Sequence, residues 1–148
     1  MGWVTEGMLA ANRAVPEGPY LAVAKKQADY MLEWQKPEGD WAFIANGSVK
    51  ETGISEKGTA LWSYLLFELY KATHEAKYLA AAEKALAWCV RNQYVGPDPE
   101  AFGGLVGVTP HSAVGYRQFF PVECADTSGF FGLAVMEELD IQNRAHSR

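Results

Sequence analysis

The stretch from Ser55 to Tyr70, Ser-Glu-Lys-Gly-Thr-Ala-Leu-Trp-Ser-Tyr-Leu-Leu-Phe-Glu-Leu-Tyr, leaves this chain few ways to fold. Leu61, Trp62, Tyr64, Leu65, Leu66, Phe67, Leu69 and Tyr70 cover nearly every side of the helix it predicts, with Ser63 and Glu68 as polar interruptions. A helix that is apolar all round must be buried all round. Other helices have to surround it. Ser55 is its expected N-cap.

The rest of the chain supplies those neighbours in two kinds. Helices are predicted over about 4–14, 19–35, 55–71, 77–93 and 126–139. The second is one-sided, with Tyr20, Leu21, Val23, Ala24, Met31 and Leu32 opposite Lys25, Asp29 and Glu33. Pro37 and Gly39 stop it. The fourth is one-sided too, with Leu79, Ala82, Leu86, Cys89 and Val90 against Glu83, Lys84 and Arg91. The last carries Phe130, Phe131, Leu133, Ala134, Val135, Met136 and Leu139 and is apolar on most sides at its start. Between helices, Trp41 to Lys50 contains Asn46-Gly47 and predicts a small β-hairpin or an ordered loop. A long Gly- and Pro-rich loop runs from Gly96 to about Cys124.

The chain repeats itself. Tyr20-Leu-Ala-Val-Ala-Lys-Lys aligns with Tyr78-Leu-Ala-Ala-Ala-Glu-Lys, which brings Gln35 onto Gln93, and Ser55-Glu-Lys-Gly58 falls on Asp126-Thr-Ser-Gly129. Each unit is a one-sided helix, a long loop and an all-apolar helix, as in a helical-hairpin array. Alternating helices of these two kinds have a simple packing solution: an inner ring of apolar helices wrapped by outer helices with wet faces. The expected fold is therefore all-α, an α/α-hairpin repeat forming part of an α/α toroid. Residues 1–148 make one partial domain of roughly two and a half hairpins, where a closed ring takes about five to seven. Its exposed apolar faces are expected to meet the remainder of a toroid or another copy of the chain.

Composition excludes several classes. Hydrophobic residues make up 49%, enough for a core and against disorder. A net charge of −5 with no basic tract argues against nucleic acid. No run of about 18 apolar residues predicts a membrane span, and the opening Met1-Gly-Trp-Val-Thr-Glu6 does not read as a signal peptide. Cys89 and Cys124 lack metal spacing, and Cys89 belongs to a core pattern. No cofactor or metal motif is found.

Tyr30-Met-Leu-Glu-Trp-Gln35-Lys-Pro-Glu-Gly39-Asp-Trp41 resembles the glutamine–tryptophan repeat of α/α-toroid proteins, an aromatic, then Gln, then Gly-x-Trp. Gly58-Thr-Ala-Leu-Trp-Ser-Tyr with Tyr78-Leu-Ala-Ala-Ala-Glu-Lys-Ala-Leu-Ala-Trp is similar to the inner- and outer-helix phrasing of six-hairpin glycosidases, in the style of unsaturated glucuronyl and rhamnogalacturonyl hydrolases. The second unit departs from the pattern: after Gln93 come Gly96-Pro-Asp-Pro99 and Phe102-Gly-Gly104, with no Gly-x-Trp. Paired-aspartate and tryptophan–arginine signatures of glucuronyl hydrolases are not found either. Nor are the metal ligands of prenyltransferases or the acidic motif of terpene cyclases, which share the toroid. The resemblance implies carbohydrate processing, as a glycoside hydrolase or part of one.

Whatever the family, every long loop runs from an outer helix to the start of an inner one. The loops gather at the mouth where the inner helices have their N-termini, which favour anionic or oxygen-rich ligands. Glycoside hydrolysis needs two carboxylates, and Asp126 and Glu123 are the chosen pair. Asp126 also reads as an N-cap, and Glu56 as a complement to the helix dipole. Trp41, Tyr116, Phe119 and Phe120 are candidate sugar platforms, with Trp41 equally readable as a packing residue. Asp40, Glu51 and Glu56 are further candidate carboxylates, Glu56 and His111 are candidate substrate contacts, and Arg117 could grip a uronate. Read differently, His111, Tyr116 and Arg117 would serve a uronate lyase, as base and carboxylate neutraliser. A third reading is a non-catalytic sugar-binding or scaffold module.

Overall fold

The computed structural model describes residues 2–42, 56–97, 99–100, 102–105 and 125–147. Five helices follow in order: α1 Gly2–Ala14, α2 Tyr20–Leu32, α3 Glu56–Thr73, α4 Ala76–Arg91 and α5 Ala125–His146. No strand occurs among the described residues. Eight positions of the expected β-hairpin, 43–50, lie outside them, as do Ser55 and Cys124. The ends of four helices fall within three residues of expectation. The fifth continues seven residues past Leu139, through a polar tail held by Arg144 on Asp140.

The all-apolar helix is central. α3 packs against α1, α4 and α5, and Leu65, Leu66, Phe67 and Leu69 are fully buried. Each such side chain contributes about 1.5–3 kcal/mol through removal from water. Its buried polar Ser63 donates to the Ala82 carbonyl at 3.0 Å, tying it to α4. The one-sided helices form the outer layer. α4 buries Tyr78, Ala81, Ala82, Ala85, Leu86, Trp88 and Cys89. Cys89 is buried within that face. Val90, expected on that inward side, is exposed instead, because the buried stripe runs through Tyr78 and Trp88. α2 meets the core through Ala24, Ala28 and Met31, and Val23 turns outward.

The inner helices α1, α3 and α5 run parallel. At their N-terminal ends Lys57 reaches both Trp3 and Asp126. At their C-terminal ends Arg13 bonds Glu68 at 2.6 Å, and Lys71 bridges Glu68 and Glu137. The connections at 15–19 and 74–75 lie at that second end and are structural, with Thr73 Oγ1 accepting from the Glu75 N–H at 3.2 Å. The outer helices are laced by Lys25–Glu75 at 2.5 Å and by Asp29, which takes Lys77 at 2.6 Å and the Tyr78 hydroxyl at 2.8 Å. This is the expected arc of an α/α toroid.

Candidate functional site

The links from outer to inner helices carry a repeat that the one-letter sequence hides. In the first unit Gln35 Nε2 donates to the Gly39 carbonyl at 3.0 Å and to the Ala81 carbonyl at 2.9 Å. The Lys36 N–H donates to the Asp40 carbonyl and the Gly39 N–H to the Lys36 carbonyl. Trp41 follows, its N–H donating to Thr59 Oγ1 at 3.3 Å. In the second unit Gln93 Nε2 donates to the Gly103 carbonyl at 2.7 Å. The Tyr94 N–H donates to the Gly104 carbonyl and the Gly103 N–H to the Tyr94 carbonyl. Leu105 follows, its N–H donating to Ser128 Oγ at 3.1 Å. Gly39 and Gly103 both have positive φ, 110° and 84°.

The second unit thus has the same turn, with Gly-x-Leu for Gly-x-Trp. The sequence obscures it because residues 95–102 separate Tyr94 from Gly103 where the first unit has only Pro37 and Glu38 between Lys36 and Gly39. Thr59 and Ser128 are each the fourth residue of their helix. The inner helices therefore match with Lys57 beside Asp126, two residues away from the alignment of Ser55 with Asp126.

These links anchor the loops at the mouth and place its side chains. Asp126 is the second residue of α5, inside the first turn rather than before it. Its Oδ1 accepts from the Thr127 N–H at 3.1 Å and its Oδ2 pairs with Lys57 Nζ. Lys57 Nζ also lies 5.7 Å from the Trp3 ring centroid, within cation–π range. The Trp3 ring meets Phe130 edge-on, with centroids 5.3 Å apart. Trp3 remains 58% exposed. A half-exposed carboxylate, an ammonium and an open indole face therefore share the mouth. Together they offer charge, hydrogen bonds and a stacking surface to a hydroxylated ligand.

Two expected site residues have other occupations. Trp41 is 1% exposed and donates its indole N–H to the Met31 carbonyl at 2.8 Å, so it has no free face for a sugar. This corrects its reading as a platform: the ring closes the core between α2 and α3, 6.4 Å from Trp62. Asp40 is buried and paired with Lys36 at 3.0 Å. Glu56 is the first residue of α3. Glu51, His111, Tyr116, Arg117, Phe119, Phe120 and Glu123 lie outside the described residues.

Trp3, Lys57 and Phe130 were missed by sequence reasoning. Trp3 sits in a short amphipathic helix and Lys57 looks like an ordinary first-turn residue. Only the parallel packing of three helix starts joins them. Among the described residues no group of His, Cys, Asp and Glu could hold a metal, and no helix is long and apolar enough to cross a membrane. At the opposite end a cavity of about 180 Å³ is lined by Tyr70, Lys71, His74, Ile141, Arg144 and Ala145. That is below the roughly 300 Å³ at which ligand pockets begin, and it faces the negative ends of the helix dipoles.

No family model and no curated protein matches the chain. Its fold is similar to two crystal structures. One is a possible member of the GH105 family from Salmonella enterica serovar Paratyphi A, at 18% identity and a TM-score of 0.74, covering 95% of this chain and 39% of that one. The other is a possible member of the same family from Klebsiella pneumoniae, at 18% identity and a TM-score of 0.65, covering 93% and 38%. The chain therefore spans about two fifths of the length of these neighbours. At this identity the likeness establishes the α/α-toroid fold.

Proposed function

We propose that this chain forms an arc of a carbohydrate-processing protein of the glycoside-hydrolase kind and that its mouth holds an oligosaccharide. The observation that carries this reading is the exposed Trp3 beside the Lys57–Asp126 pair, at the N-terminal ends of three inner helices. It is supported by a fold similar to that of possible GH105 members. In this reading Trp3 stacks on a sugar face and Lys57 binds a hydroxyl or uronate. Asp126 and Glu123 are the two carboxylates, one protonating the leaving oxygen and the other acting on water or the anomeric carbon, with Arg117, Tyr116, His111 and Phe120 as loop contacts.

The test is digestion of unsaturated uronide oligosaccharides followed by the absorbance of the conjugated uronate. A hydrolase of this kind consumes the chromophore, whereas a lyase using His111, Tyr116 and Arg117 generates it from the saturated polysaccharide. Asp126→Asn should lower kcat by about 100-fold or more while changing stability by less than about 1 kcal/mol, because the ion pair is half-exposed. Unchanged turnover in Asp126→Asn refutes its assignment as a catalytic carboxylate. Binding without turnover, seen as a rise in Tm with oligosaccharide that Trp3→Ala abolishes, would make the chain a sugar-binding module.

A further inference from the structure

The two end helices of the arc show an inverted surface pattern. The sides of α1 and α5 that face away from the core carry an apolar stripe, interrupted on α5 by Asp140, which pairs with Arg144. On α1 that stripe is Val4, Gly7, Ala11, Ala14 and, just past the helix, Val15. On α5 it is Gly129, Gly132, Leu133, Met136 and Leu139. Both follow the i, i+3, i+7, i+10 spacing of a single helix face. Met136 is 66% exposed and Leu139 51%. Among the described residues a methyl group added at Gly7, Gly129 or Gly132 would touch nothing, so these glycines cost helix stability without relieving a contact there. The exposed sides of the outer helix α4 differ, with Lys77, Glu83, Lys84 and Arg91.

We infer that these stripes are the two halves of one seam, and that their occupant is a second copy of this chain, α5 of each packing on α1 of the other. Three observations favour that partner. The stripes are complementary in size: small residues on α1 leave a shallow groove, and Leu133, Met136 and Leu139 form a ridge. The contact continues the existing layer, since α1 packs on α3 and α3 on α5, and a parallel α5–α1 step repeats that order. It also closes. Two copies related by a twofold along the helix direction supply six inner helices, with all six N-termini at one mouth. Two copies at 39% each also approach the length of the neighbouring structures. Two equal seams share the roughly 1,200–2,000 Å² that a stable interface buries, so each needs only one helix pair. The inference rests on the fold and does not depend on the proposed activity.

Analytical ultracentrifugation of the intact chain at micromolar concentrations tests it. The expected species has twice the monomer mass of 16.3 kDa. Gly7→Lys and Met136→Glu, both at open positions, should each shift the population to monomer, with a dissociation constant at least tenfold higher and unchanged helicity. Mixing the two variants should restore a dimer, because one of its seams then pairs Lys with Glu and the other is native. A wild-type chain that stays at 16.3 kDa overturns the inference, as does a larger closed assembly. So do variants that dimerise as well alone as when mixed.

Discussion

Gly39 and Gly103 stand at the same place in two copies of one turn, yet alanine should cost them different amounts. Both backbones have positive φ, 110° and 84°, so alanine at either site forces an L residue into a disfavoured region, about 1–2 kcal/mol. At Gly39 the new methyl would also overlap the main-chain carbonyl of Lys84 on α4. Backbone cannot step aside as a flexible side chain can, and overpacking adds about 1–3 kcal/mol. At Gly103 the nearest atom is Gln93 Nε2 at 3.8 Å, an ordinary contact. Gly39→Ala should therefore destabilise by about 2–5 kcal/mol and Gly103→Ala by about 1–2 kcal/mol. For a chain of this size that is a Tm loss of roughly 6–15 °C against 3–6 °C. Urea unfolding followed by circular dichroism, at one protein concentration, measures both. Losses equal within about 0.5 kcal/mol would refute the argument that the first turn is clamped against α4 while the second is open.

Two further perturbations probe the frame around the site. Trp41→Ala should cost about 3–5 kcal/mol, because it empties a buried ring site and removes the indole bond to the Met31 carbonyl; a loss below about 1 kcal/mol would refute its role in closing the core. The Tyr78 hydroxyl is pushed up to about 12 by burial and by its hydrogen bond to Asp29. Because the folded value lies above the unfolded value of about 10, its contribution is complete below pH 10 and is lost as pH rises toward 12. Tyr78→Phe should cost about 1 kcal/mol at neutral pH and flatten that alkaline limb in pH-dependent urea unfolding, whereas an unchanged limb would assign the loss to other groups.

Burial of the 55–70 helix was legible because its composition admits no wet face, and four leucine and phenylalanine side chains at zero exposure are the result. The two helix kinds and their alternation were legible for the same reason: periodicity records which sides meet water. The repeat was only half legible. Gln35 and Gln93 could be aligned, but six extra residues separate Gln93 from its glycine, and pattern matching along the chain cannot see across them. Trp41 was ambiguous because an aromatic residue in a loop can stack on a sugar or seal a core, and its sequence neighbours are the same in both cases.

The amino-acid sequence by itself determined the all-helical class, the inner and outer layers and the end of the arc at which the loops gather. These follow from local periodicity and from chain connectivity. Only the tertiary structure decided which side chains occupy that mouth. Trp3, Lys57 and Asp126 are separated by 54 and 69 residues in the chain. What unites them is the parallel packing of α1 and α5 against α3, whose side-by-side register is held at the other end by Arg13 on Glu68 and Lys71 on Glu137.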